Sequence, residues 1–289
     1  MNAVIPKPVC HWGTVPPLPR VIIKMLFAFD RVYLRLSADS KLFACLVAML
    51  VITAVDAADM RKVVRTASPS AESKLDPQAE GDEMSGSIND QIFDSLLEYD
   101  YLARPAKLKA RAAAALPEVS ADGTTFTVRI KHGVYFTPDP AFKGKRRELV
   151  AQDYVYSIKR LFDPKLTSQW LFLVEGKISG ADAVRADAKK TGRFDYDRPI
   201  EGLAALDRYT LRIRLNNTDF GFPFVLALPA TAAVAREVRE YYGDDFHAHP
   251  VGTGPFLLKE WVRGSRVVLE RSEERRVGKE CRSRWSPYH

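Results

Sequence analysis

Hydrophobic and polar residues alternate in two short stretches of the chain. Phe126, Val128 and Ile130 alternate with polar residues over residues 124–130, and the same pattern recurs over residues 211–215. A period of two places every second side chain on the same face of a strand. The pattern therefore predicts two strands, each with one buried face.

Three other stretches predict helices, two from a helical period of apolar residues and one from its composition. Over residues 87–97, apolar residues spaced by four share one face, and residues 153–161 repeat this pattern between Asp153 and the terminating Pro164. Residues 229–242 are rich in alanine, which has the highest helix propensity. Three helices are predicted there.

Turn formers separate these elements. Asp122 and Gly123 indicate a hairpin before the first alternating strand, and Gly264 joins two β-rich runs near the end of the pattern. Residues 60–67 are predicted to form a first strand and residues 68–77 an exposed loop. Helices and strands together predict a mixed α/β fold.

A run of fourteen residues, 42–55, is the only long apolar segment. Fourteen residues are too few to span a bilayer as a helix. Basic residues precede the run and small residues follow it, so we expect a signal peptide with cleavage near Ala57 or Ala58. Residues 1–57 are accordingly assigned to an N-terminal extension and signal peptide, and the mature protein is expected in the periplasm.

The last residues, 272–289, show no hydrophobic period and resemble the translation of a sequencing adapter. We therefore expect the natural sequence to stop near Arg271. Residues 58–271 are then one domain, and residues 272–289 are an artefact tail.

Residues 58–271 alone carry a smaller net charge than the whole chain and contain no cysteine. The whole chain carries +7, of which residues 1–57 contribute +3 and residues 272–289 contribute +2, leaving +2 for residues 58–271. This balance gives no reason to expect nucleic-acid binding. Cys10, Cys45 and Cys281 all lie outside residues 58–271, which excludes disulfides and thiol chemistry there.

Catalytic and metal-binding motifs are missing from the central segment. It has no P-loop, nucleophile elbow or His-Glu-x-x-His sequence. His247 and His249 lack a third ligand nearby, and the basic run at residues 143–147 is expected to be a solvated loop. The best-marked nucleotide and hydrolase mechanisms therefore lack their residues, and we predict no catalytic residue, no metal and no cofactor in this segment.

The order of motifs resembles a known family. Leu75-Asp76-Pro77 is followed by five longer motifs: IFDSLLEYD (92–100), ALPEVSADGTTFTVRIKHGVYF (115–136), LVAQDYVYSIKRLFDP (149–164), ALDRYTLRIRL (205–215) and PVGTGPFLLKEWVRGSRVVLER (250–271). This succession is similar to the bacterial extracellular solute-binding proteins of family 5, the peptide-, dipeptide- and nickel-binding components of ABC importers.

The resemblance implies a two-lobed periplasmic-binding-protein fold of class II, in which the lobes close on a ligand by a hinge motion without chemistry. The chain would supply the N-terminal lobe and lack the second. The implied partners are a peptide or similar small solute and the transmembrane subunits of an ABC permease, and the implied state is a monomer.

The resemblance also implies ligand-binding residues. Ser70, Ala71, Glu72 and Ser73 would approach the ligand backbone, and Trp170 would lie near the cleft. Each has an alternative interpretation: the four residues could form a simple turn, and Trp170 could be a core or interface residue.

Two alternatives to an importer component stay open. The missing half could carry the residues of an exported enzyme, or the clamp could report its ligand to a signalling partner. Because the resemblance implies a second lobe that this chain would lack, the chain alone is expected to be unable to bind ligand. Tight binding by the purified chain would refute this expectation.

Overall fold

The computed structural model describes residues 63–68 and 70–272. The chain divides into two compact units, Met1–Thr66 and Ala67–His289. The predicted signal peptide, the three cysteines and residues 273–289 of the predicted tail lie outside the described residues. Among the described residues, no helix is both long and apolar enough to cross a membrane.

Within residues 70–272 the fold mixes helices and strands, as the pattern predicts. The α-helices are α1 (Glu83–Ile92), α2 (Ala151–Leu161), α3 (Ala181–Thr191), α4 (Phe222–Val225) and α5 (Arg236–Tyr242). The strands are β1 (Leu97–Tyr99), β2 (Leu108–Ala110), β3 (Glu118–Val119), β4 (Thr125–Arg129), β5 (Leu203–Ala205), β6 (Thr210–Arg214), β7 (Phe256–Val262) and β8 (Arg266–Arg271).

The largest sheet is antiparallel, with strand order β3-β4-β6-β5. Phe126 pairs with Ile213 and Val128 with Leu211, and all four side chains are completely buried. Helix α2 packs against β5 and β6 on this sheet. Both strands predicted from alternation are thus confirmed, because one face of each is covered by the core.

The hairpin predicted at Asp122 and Gly123 is also confirmed, since it joins β3 to β4. Gly123 has φ = 66°, in the left-handed region that favours glycine. The Asp122 side chain accepts a hydrogen bond from the Thr124 N–H at 3.1 Å and stabilises the turn.

Two further strand pairs complete the β structure. β1 pairs with β2, and β7 pairs with β8 through the predicted turn at Gly264. The first strand predicted over residues 60–67 is wrong for its described part, residues 63–67, because no ladder of backbone hydrogen bonds includes them. Residues 60–62 lie outside the described residues.

Helix α1 is confirmed as a helix but has different ends. Asp82 caps it by accepting the Ser85 N–H at 2.7 Å, so the helix starts before residue 87. At its last turn the Ile92 carbonyl accepts the Gly254 N–H at 2.7 Å. Leu96 therefore lies beyond the helix.

The helix predicted over residues 229–242 is wrong for its first half. Only α5 is α-helical, and residues 232–235 are extended and buried. The Ala233 N–H donates to the Asp94 carbonyl at 3.2 Å, and the Val234 N–H donates to Ser157 Oγ at 2.8 Å. These tertiary hydrogen bonds replace helical ones and override the alanine propensity.

The loop at residues 68–77 is not exposed throughout, because Leu75, Asp76 and Pro77 are buried. Asp76 forms a two-pronged ion pair with Arg160 of α2, with N···O distances of 2.9 and 2.6 Å. Gln78 donates to the carbonyls of Ala230 and Ala232 at 3.1 and 3.0 Å. Asp76 and Gln78 therefore connect this loop both to α2 and to the segment that contains Ala230 and Ala232.

Candidate functional site

A pocket of about 690 Å³ lies along the N-terminal half of α1. Besides that helix, four short segments form its walls: residues 80–82, residues 98–99 of β1, residues 169–172 and residues 227–229. Arg111 completes the lining. The pocket thus combines one helix face with loops from distant parts of the sequence.

The helix face follows from simple spacing. Glu83, Gly86, Ser87 and Asp90 line the pocket, and residues three, four and seven apart share one side of an α-helix. The buried residues of α1, Ile88 and Ile92 among them, lie on other positions of the helix. The polar face of an amphipathic helix is therefore turned towards the pocket.

Asp82 fixes the start of this helix. Its carboxylate accepts hydrogen bonds from the N–H and Oγ of Ser85, at 2.7 and 2.8 Å, and another from Ser73 Oγ. Burial opposes ionisation, but these hydrogen bonds outweigh it and lower the pKa of Asp82. Asp82 is therefore a charged cap at the pocket rim.

Glu80 is a buried carboxyl group in the pocket lining, with only 1% of the residue exposed. Oε2 accepts a hydrogen bond from Asn89 Nδ2. Burial, and more weakly the charges of Asp76, Asp82 and Asp90, raise the pKa of Glu80 to about 8, although the Asn89 hydrogen bond acts in the opposite direction. Glu80 is therefore mostly protonated at neutral pH in the empty pocket.

The opposite wall is a 3₁₀ helix, Gln169–Leu173. Gln169 Nε2 and Trp170 Nε1 both donate to the Glu80 carbonyl, at 2.9 and 3.1 Å. Ser168 caps the segment, and Phe172 is 66% exposed at its far side. Two hydrogen bonds thus hold the aromatic wall against the loop that carries Glu80.

Arg111 belongs to the closed end of α1. Its Nε pairs with Asp94 Oδ1 at 2.7 Å, its Nη1 pairs with Asp90, and its Nη2 donates to the Phe93 carbonyl at 3.0 Å. Although burial opposes its charge, the two carboxylates raise the pKa of Arg111. The guanidinium therefore stays charged while its donors are used within the fold.

The predicted site residues divide between two places. Trp170 lines the pocket, but Ser70, Ala71, Glu72 and Ser73 do not. Glu72 Oε1 accepts from Trp261 Nε1 at 2.6 Å and from the Gly264 N–H at 2.9 Å, which anchors the β7–β8 hairpin.

The other three residues of that loop have no direct place in the pocket lining. Ser70 and Ala71 are not part of it, and Ser70 is exposed. Ser73 contributes indirectly, through its hydrogen bond to Asp82. The roles of these four residues and of Trp170 in ligand binding stay predictions.

Sequence reasoning missed Glu80, Asp82 and Asp90 as pocket residues. The signal available was the alternation of acidic and small residues in AEGDEMSGS (79–87), just before a helical period. An N-cap aspartate in such a segment marks a helix start. The Glu80 carbonyl accepts a hydrogen bond from Trp170, ninety positions away, and no local pattern reveals that contact.

The two histidines, His247 and His249, have partners within the fold. His249 stacks on Tyr242 with ring centroids 3.9 Å apart, and His247 Nδ1 lies 3.0 Å from the Asp244 carbonyl. Within the described part of the chain, no group of three potential ligands could hold a metal ion.

Arg147 corrects the prediction of a wholly solvated basic loop. It forms ion pairs with Asp153 at 2.6 Å and with Glu237 at 2.8 Å, so this side chain is largely used within the fold.

Known proteins resemble this chain over most of its length. The glutathione-binding protein GsiB of Shigella dysenteriae is 29% identical over 78% of this chain and 38% of its own length. The periplasmic oligopeptide-binding protein OppA of Escherichia coli K12 is 29% identical over 75% of this chain and 37% of its own length. The chain thus spans less than two fifths of these relatives.

Solved structures share the fold. Burkholderia pseudomallei OppA superposes with a TM-score of 0.60 at 23% identity, over 72% of this chain and 37% of that one. An oligopeptide-binding protein of Borrelia burgdorferi gives a TM-score of 0.58 at 25% identity, over 71% of this chain and 38% of that one. The fold is thus that of part of a periplasmic binding protein, which confirms the predicted fold class.

The family assignment rests on the sequence model of the bacterial extracellular solute-binding proteins, family 5, which matches residues 107–279. The match covers more than half of the chain, including the main sheet, α2 and the β7–β8 hairpin. This chain belongs to the bacterial extracellular solute-binding proteins of family 5.

Proposed function

We propose that this chain is the N-terminal lobe of a periplasmic solute-binding protein that captures peptides and delivers them to an ABC permease. The observation that carries the proposal is the pocket between α1 and the Trp170 segment, in a chain of this family. The family consists of solute-binding proteins and not of enzymes. Relatives named for oligopeptide and glutathione binding support a peptide ligand.

The proposed pocket suits part of an extended ligand. Its volume of about 690 Å³ lies in the range of small-molecule sites. Carbonyl, carboxyl and aromatic groups occur together on its walls, and a second lobe would close over them. Because the chain spans less than two fifths of the relatives that it matches, we expect the binding of peptides to this pocket alone to be weak.

Export is part of the proposal. Family members are extracellular or periplasmic, and we propose cleavage near Ala57 or Ala58, with a mature domain at residues 58–271 and an artefact tail at residues 272–289. N-terminal sequencing of the secreted protein tests the cleavage point.

The test of function is peptide uptake in the source cells. Disrupting the gene should reduce uptake of labelled tripeptides several-fold, and the intact gene should restore it. Restoration by a Trp170→Ala gene should be poorer than by an exposed control, Glu118→Gln. Unchanged uptake contradicts the proposal, and a changed transcriptional response without changed uptake would favour the sensory alternative.

A further inference from the structure

We propose that the pocket binds a positively charged group of its ligand, a guanidinium or primary ammonium, beside the carboxyl groups of Glu80 and Glu83 and against the ring of Trp170. The inference rests on the proposed function and deepens it, because it names the substrate class: peptides with a basic side chain.

The charged residues of the pocket lining are predominantly acidic. Five of the sixteen lining residues carry a carboxyl group and one, Arg111, carries a positive charge. Arg111 is engaged by Asp90 and Asp94, so it does not offset the remaining acidic groups. A cleft lined by one sign of charge concentrates ligands of the opposite sign.

One oxygen of the Glu80 carboxyl group is free to accept a hydrogen bond in the pocket, although the residue as a whole is 1% exposed. Oε2 of Glu80 accepts from Asn89, but among the described residues Oε1 has no hydrogen-bond partner. A β-carbon on Gly86, itself part of the lining, would lie 3.3 Å from Oε1. Oε1 thus lies close to the Gly86 backbone, and because both residues line the pocket, a ligand donor can reach this oxygen.

Asn89 does not itself line the pocket, but it donates to the Glu80 carboxyl group. Its Oδ1 is buried and without a partner among the described residues. Leaving buried polar atoms unpaired is unfavourable, and ammonium and guanidinium groups supply several donors each. Hydrogen bonds from a charged donor to a carboxylate are stronger than neutral ones.

Aromatic rings form part of the pocket wall. The rings of Trp170 and Phe172 lie 6.3 Å apart between centroids, and Tyr99 also lines the pocket. Aromatic faces attract cations and also cover the aliphatic stem of a Lys or Arg side chain. Acidic groups together with aromatic faces favour such a side chain over a free metal ion or an anion.

Proton linkage follows from the burial of Glu80. Its carboxyl is surrounded by Asp76, Asp82 and Asp90, whose charges favour the protonated form, while Asn89 favours the ionised form. The nearby guanidiniums, those of Arg111 and Arg160, are paired with these aspartates: Arg111 with Asp90 and Arg160 with Asp76. A bound cation stabilises the carboxylate, so binding releases a proton to the buffer and strengthens as the pH rises towards 8.

The experiment uses the full 289-residue chain and three tripeptides, acetyl-Ala-X-Ala-amide with X = Arg, Gln or Glu. Blocked ends leave the side chain as the only charge, and a guanidinium stays charged over the whole pH range used. Calorimetry at about pH 6.5 and pH 8.5 should give weak binding of the Arg peptide, about tenfold tighter than that of the Gln peptide at the higher pH. Between the two pH values its affinity should rise about tenfold.

Glu80→Gln should remove the rise with pH, whereas the exposed control Glu118→Gln should retain it. If Glu80→Gln fails to fold, the comparison of the three peptides on the unmutated chain still decides the matter. Equal binding of the three peptides, preference for the Glu peptide or no binding overturns the inference.

The inference and the proposed function fail separately. Normal gene-dependent uptake with no preference for the Arg peptide leaves the function standing and overturns the cationic pocket. Preference for the Arg peptide without gene-dependent uptake supports the cationic pocket and contradicts the proposed function.

Discussion

The two ends of helix α1 carry the same kind of group in opposite situations. At the C-terminal end, Asp94 is fully buried but faces Arg111 and also accepts from Thr253 Oγ1 at 2.9 Å. At the N-terminal end, Glu80 is equally buried but has an amide as its partner in place of a cation.

The comparison shows how compensation decides what a buried carboxyl does. A buried charge that is paired and hydrogen-bonded holds segments together, and Asp94 links the end of α1 to Arg111 and to Thr253. Where a buried carboxyl group has no cation beside it, burial raises its pKa and favours the neutral form instead. The first arrangement holds the C-terminal end of α1 in place, and the second leaves Glu80 available to the cationic ligand that we propose.

The largest effect is expected at the closed end. Asp94→Asn leaves Arg111 buried with only one carboxylate, so we expect a loss of about 3 kcal/mol in the free energy of unfolding. Urea denaturation measures it. The exposed Glu118→Gln serves as control, and a loss as small as that of the control would show that Asp94 does not hold this end.

The second largest effect is expected from alanine substitution of a glycine, and it should differ between Gly252 at the closed end of α1 and Gly86 at the open end. A β-carbon on Gly252 would lie 2.0 Å from the Ile92 carbonyl oxygen, so Gly252→Ala should lower stability by about 2 kcal/mol. Gly86→Ala, at the open end, meets only the flexible Glu80 side chain at 3.3 Å and gains helix propensity. Thermal unfolding of both variants should place Gly252→Ala clearly lower, and equal midpoints would remove the distinction.

Glu80 makes stability depend on pH. Its pKa rises on folding from 4.5 to about 8, so the folded state binds more protons and stability falls as the pH rises between these values. We expect Glu80→Gln to remove a fall of about 2 kcal/mol between about pH 5 and pH 6.5. Denaturation curves at both pH values test this, and an unchanged pH dependence in the variant would contradict it.

The smallest effect belongs to the helix cap. Asp82→Ala removes the acceptor for the Ser85 N–H, at a cost of about 1 kcal/mol. Asp82→Ser keeps a capping oxygen and should recover most of the loss in urea denaturation. Equal losses in the two variants would show that the hydrogen bond is unimportant.

Local pattern sufficed where one face of an element is simply buried. The alternation around Phe126 and Ile213, the Asp122-Gly123 turn and the period of α2 each reflect short-range geometry, and each prediction is confirmed. It failed over residues 232–235, where hydrogen bonds to Asp94 and Ser157 hold an alanine-rich segment extended.

The candidate site was predicted only through Trp170. The sequence by itself determined the family, the mixed fold, the main strands and hairpins and the lack of familiar catalytic motifs, because these depend on residue type and short spacing. Only the tertiary structure decided that Glu80 is buried, that Arg111 serves Asp90 and Asp94, and that Gly252 touches α1. Burial and charge compensation depend on neighbours distant in sequence, and folding alone brings them together.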